Sequence, residues 1–169
     1  EKDTTSNVEP INDISGRSSW KIIQEEILDK SCAGCHSVGT SFGNQSELIL
    51  TADVAYENLI NREPHNQAAK DDGLELVGTE GLGSLYKSYL WEKINAPDKD
   101  HFYADHPQYG EIMPLGMDFL TNGQLEFIRQ WIVAGAPETG VVADSLLLQD
   151  SVRFVDALFE PLQPPEVGV

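Results

Sequence analysis

Only two of the 169 residues are cysteine, and both fall in one pentad, Cys32-Ala33-Gly34-Cys35-His36. This pentad constrains the chain more than any other feature. A chain of this length buries roughly two-thirds of its unfolded surface and needs no dense disulfide framework. The pentad presents two thiols and an adjacent imidazole as one chemical unit. Shuffling the same composition would reproduce it in roughly 3 of 10,000 chains, taken as a five-residue motif.

Cys-x-x-Cys-His is the pattern of covalent c-type haem attachment. Two thiols at this spacing reach the two vinyl groups on one side of a porphyrin, and the following imidazole supplies the proximal iron ligand. Two other readings use the same residues. A short Cys32–Cys35 disulfide or thioredoxin-like redox pair has this spacing, but it wants a leading β-strand, and residues 19–31 read as a helix. A zinc site would draw on His101 and His106, although about sixty-five residues separate that pair from the cysteines, far more than in a zinc finger.

The remaining pattern is helical. Ser18 or Ser19 can cap a helix to Ser31 with Trp20, Ile23, Ile27 and Leu28 on its apolar face. A second helix is expected over about 52–61 and a third over about 84–95, stopped by Pro97. Residues 62–83 read as loop, as does the acidic stretch holding Asp98, Asp100 and Asp105, which lacks a calcium-loop pattern. Thr121-Asn122-Gly123-Gln124 is a capping box, flanked by Leu120 and Leu125 as a hydrophobic staple. It opens a helix that Gly135 and Pro137 terminate. With no alternating strand pattern, the fold class is all-α with long loops.

If His36 binds one face of an iron, the ligand on the other face decides the chemistry. Met113 is favoured, because Pro114 biases it towards extended geometry in a loop just before the capped helix. Met117, His65, His101 and His106 remain alternatives, as does an open site. Tyr86 and Trp91 are candidate pocket aromatics, or ordinary core residues.

Residues 19–138 resemble the monohaem cytochrome c fold, and within it the planctomycete-type domains of bacterial surface and periplasmic proteins. The matching pieces are Trp20…Ile27-Leu28…Cys32-x-x-Cys35-His36 and Ser88-Tyr89-Leu90-Trp91-x-Lys93-Ile94. Met113-Pro114-x-Gly116…Leu120-Thr121…Leu125-x-x-Ile128-Arg129-x-Trp131-Ile132-x-x-Gly135-Ala136-Pro137 completes them. The resemblance implies a cytochrome c-like helical fold around one covalent haem c, with Met113 as distal ligand. It also implies first and last helices that cross near the haem edge, and a periplasmic or cell-surface location. A long insert between His36 and Met113 departs from small cytochromes c.

The expected organisation is a polar tail over 1–18, a haem-binding domain over 19–138 and a strap or linker over 139–169, with a further domain possible beyond it. Eleven Lys+Arg against 28 Asp+Glu give a net charge of −17. That charge argues against nucleic-acid and anionic-lipid binding and favours redox partners with a basic docking surface. No apolar run is long enough for a membrane span. Electron transfer is the expected function, no catalytic residue being assigned. The alternatives are a haem enzyme or gas sensor with an open or displaceable distal site, and an interaction module.

Overall fold

The computed structural model describes residues 13–155. Among the described residues, short helices alternate with long loops, and the β pairing consists of three isolated bridges. The all-α class holds.

Residues 19–31 form α1, which begins as an α-helix over Ser19–Ile22, widens to a π turn over Ile23–Leu28 and closes with Asp29–Ser31. The Ser18 hydroxyl is the N-cap, accepting from the Lys21 N–H at 3.1 Å. Trp20, Ile23, Ile27 and Leu28 are all buried, as the spacing requires, and Ile22 joins them. Six helices follow before the last: α2 (Ser41–Ser46), α3 (Ala55–Leu59), α4 (Gln67–Asp71), α5 (Leu82–Leu85), α6 (Tyr89–Ile94) and α7 (Lys99–Asp105).

The last helix, α8 (Asn122–Val133), carries the expected capping box in full. Gln124 N–H donates to Thr121 Oγ1 at 3.1 Å, and Thr121 N–H donates back to Gln124 Oε1 at 2.9 Å. Two of its first-turn donors thereby gain partners that the helix itself lacks. Its buried face, Leu125, Phe127, Ile128, Trp131 and Ile132, meets α1, where Trp20 stacks on Trp131 with ring centroids 5.2 Å apart. Gly135, at φ +95°, ends the helix in a conformation that costs a residue with a Cβ.

Several elements differ from the sequence expectation. The helix expected over 84–95 is two helices, because residues 75–76 run alongside the break. Tyr89 N–H donates to Glu75 O at 2.7 Å and Leu90 N–H to Leu76 O at 3.0 Å, so neighbouring chain satisfies the start of α6. The buried Ser88 hydroxyl donates to Ser84 O at 2.7 Å and accepts from Gly78 N–H at 3.0 Å, fixing the corner. The helix expected over 52–61 is limited to α3. Stretches read as loop contain α4, capped by Asn66, and α7, which buries Phe102. Pro97 sits inside a 3-10 turn, Ala96–Asp98, that leads directly into α7.

The core has two parts. The larger lies between α1, α3, α6 and α8, and the smaller gathers Ala69, Leu74, Ala96, Phe102, Tyr109 and Ile112. Tyr89 packs against both. After α8 the chain returns over the start of α1, where Ser19 N–H donates to Gly140 O at 3.0 Å and Ser19 Oγ accepts from the Val142 and Ala143 N–H groups. It then reaches the start of α8, where Asn122 N–H donates to Val152 O at 2.7 Å. The remainder of the expected tail and strap, 1–12 and 156–169, lies outside the described residues.

Candidate functional site

The pentad lies where α1 ends. Cys32 departs from helical geometry, at φ −129° and ψ −47°, and the chain folds back on it. Cys35 and His36 N–H groups both donate to Cys32 O, at 3.2 and 3.0 Å. Thr40 Oγ1 donates to Cys35 O and lies 2.8 Å from Ser37 O, and His36 O accepts from Leu50 N–H at 2.8 Å. The motif is thus tied to the segment following it as well as to the helix before it.

These bonds fix the His36 ring. Its Nδ1 lies 3.2 Å from Leu48 O and 3.2 Å from Ser46 Oγ. The Ser46 hydroxyl hydrogen goes to Phe42 O at 2.6 Å, so both neighbours of Nδ1 are acceptors. Nδ1 therefore carries the proton and Nε2 keeps its lone pair, the tautomer suited to a metal ligand held by a backbone carbonyl. Burial pushes the imidazole below its ordinary value, the Leu48 bond partly offsets this, and the Lys93 charge depresses it further.

Cys32 and Cys35 are not bonded to each other. Burial, with a contribution from Cys35, pushes the Cys32 thiol up to about 12. A thiol so placed is protonated near neutral pH, the reverse of a nucleophilic redox cysteine.

One cavity collects the candidate residues. Cys32, Cys35, His36, Met113, Pro114 and Met117 all line it. Its enclosed volume is about 150 Å³, and it opens to solvent at its mouth. Leu48, Leu50, Leu59, Leu76, Leu90 and Ile94 supply half of the remaining lining residues, and the lining is predominantly apolar. The side chains brought together here are two thiols, an imidazole and a thioether, facing a mostly apolar wall.

Met113 is half-buried and its N–H donates to Lys93 O at 2.7 Å, while Pro114 behind it is buried. Met117 is 52% exposed at the rim. The three alternative histidines do not line the cavity. His65 pairs with Glu47 at 3.2 Å on the surface. His101 is held between Asp98 and Asp105, and His106 stacks on Tyr109 with ring centroids 4.2 Å apart. The zinc arrangement read from spacing is not assembled, and among the described residues no group of three or more His, Cys, Asp and Glu side chains is placed to hold a metal ion.

Of the two aromatics weighed as pocket or core residues, neither lines the cavity. Tyr86 is 67% exposed and Trp91 is core, whereas Tyr89 and Phe42 line the cavity. Sequence reasoning also gave no separate weight to Lys93, which lines the cavity from α6. The available signal was the i, i+4 spacing of Tyr89 to Lys93 and of Leu90 to Ile94, which puts all four on adjoining faces of one short helix. Burial lowers the Lys93 ammonium to about 8, with Glu111 acting in the other direction.

No protein-family model, curated protein sequence or solved structure matches the chain. Among the described residues, no helix is long and apolar enough to cross a membrane.

Proposed function

We propose that the protein is a monohaem c-type electron-transfer domain. The observation that carries this reading is the meeting of Cys32, Cys35, His36 and Met113 in one apolar cavity. Cys32 and Cys35 would hold the group through two thioethers, with His36 Nε2 and Met113 Sδ as axial donors. Bound there, the haem supplies one-electron chemistry at iron. The chain's own residues do the rest. Leu48 O and Ser46 Oγ keep the His36 proton on Nδ1, the leucine-rich wall excludes water, and the Lys93 carbonyl holds the Met113 main chain. A His/Met pair raises the potential and leaves no open position, which suits a carrier.

Covalent attachment and the resemblance support a bacterial periplasmic or cell-surface setting. The −17 charge supports basic partners whose association weakens as salt rises. A second reading, a haem enzyme or gas-binding sensor, draws support from the half-buried position of Met113 beside the exposed Met117. Carbon monoxide separates the two. The carrier reading expects an unchanged Soret band on adding it to the reduced protein, and a rapid shift would favour the sensor. Met113→Ala is expected to abolish the weak far-red band of His/Met ferric haem. Survival of that band in this variant, with its loss in Met117→Ala, would reassign the ligand.

A further inference from the structure

Lys93 is a cation in an unusual place. The chain carries 28 acidic side chains against 11 Lys+Arg, yet among the described residues no carboxylate lies within ion-pair distance of the half-buried Lys93 ammonium. Buried charges are ordinarily paired, because desolvating an unpaired one is costly. Lys93 instead has partial substitutes for an anion. Its Nζ donates to Tyr109 O at 3.0 Å and lies 5.6 and 6.0 Å from the ring centroids of Tyr89 and Phe102. The Tyr89 hydroxyl donates to the same carbonyl at 2.5 Å, so both lone pairs of that oxygen are in use. Gly110 leaves the space, since a Cβ there would stand 3.0 Å from Nζ. An ammonium has three donors, and one is accounted for.

We propose that Lys93 is the anion-recognition group of the cavity, taking a carboxylate carried by the ligand whose apolar body fills the remainder. On the haem reading, on which this inference rests, that carboxylate is a propionate. The predominantly apolar wall would hold the macrocycle, while this single ammonium would orient its charged edge and place a positive charge near the iron.

The test uses the haem-loaded protein and two readouts, the midpoint potential and the propionate bending bands in the resonance Raman spectrum. Lys93→Gln keeps a donor for Tyr109 and removes the charge, and Lys93→Met is a second neutral replacement should the first not fold. Both are expected to lower the potential, because loss of a nearby positive charge favours ferric iron, and to shift the propionate bands. Lys93→Arg is expected to restore both towards wild type. The His/Met band should persist throughout, because Met113 is held by the main-chain carbonyl of residue 93. A haem-bearing wild type whose neutral variants leave potential and bands unchanged overturns this proposal alone. A wild-type chain that carries no haem overturns the reading beneath it as well.

Discussion

Met113 and Lys93 are joined main chain to main chain, the Met113 N–H donating to the Lys93 carbonyl at 2.7 Å. Through the other end of the same residue, the Lys93 ammonium donates to Tyr109 O at 3.0 Å. One position of α6 therefore holds the loop that presents the methionine at two points, Tyr109 and Met113. The Met-Pro segment gains a fixed place against the cavity although no helix contains it.

The proximal side has a comparable dependence on Gly43. A Cβ at this buried position would lie 2.5 Å from Ser37 O and 2.7 Å from Thr40 Oγ1. Gly43→Ala should force α2 away from the motif and disturb the Ser46 and Leu48 contacts to His36. The expected loss of stability is about 1–3 kcal/mol, as for overpacking elsewhere. Denaturant titration measures it, and a change in the ferric spectrum would report altered His36 ligation. An unchanged midpoint would mean that the segment relaxes freely.

Gly123 tests the returning strap. Its absent Cβ would stand 2.0 Å from Leu147 O and 2.8 Å from Asp150 O, both backbone atoms. Gly123→Ala is expected to lift residues 145–152 from the start of α8, breaking the Asn122 N–H bond to Val152 O and the Gly123 N–H bond to Asp150 O. The capping box should remain, so far-UV circular dichroism changes little while protease cleavage within 145–155 accelerates. Equal cleavage rates in both proteins would show that the strap adjusts without leaving.

The legible parts of this molecule were those set by local chemistry. Thr121 and Gln124 announce their helix because a capping box needs only four consecutive residues. The apolar spacing from Trp20 to Leu28 announces α1 in the same way. What was not legible depends on distant chain. The break at Ser88 follows from carbonyls of Glu75 and Leu76, and α7 follows from a place for Phe102 in the smaller core. At the site, the pentad and Met113 were readable as residues expected to meet, whereas the leucines that wall their shared cavity come from separate stretches of chain. Tyr86 rather than Tyr89 was weighed as a pocket residue because the break at Ser88, which leaves Tyr86 at the exposed end of α5 and Tyr89 at the start of α6, has no local signal.

High pH should unfold the protein through its tyrosines. Burial pushes Tyr89 up to about 12. Tyr109 is raised by burial and then by donation of its hydroxyl to Asp72 at 2.5 Å, and burial likewise raises Tyr56 and Tyr103. The unfolded chain releases phenolic protons near pH 10, while the folded chain retains them. This contribution to stability is thus complete below about pH 10 and is lost as pH rises through about 12. Urea titrations at about pH 9 and about pH 11.5 should give a lower midpoint at the higher value, with a smaller difference in Tyr109→Phe. A midpoint difference in that variant equal to that of the wild type would remove Tyr109 from the account.

The central claim is that one haem is bonded to Cys32 and Cys35. Its most direct test is the reduced spectrum of the protein denatured in alkaline pyridine, after production in a host with cytochrome c maturation and extraction with acidified organic solvent. The account predicts one haem per chain, retained through extraction, with the haemochrome band of a porphyrin bearing two thioethers. Absence of a haem band, or a haem that leaves with the solvent, would contradict it.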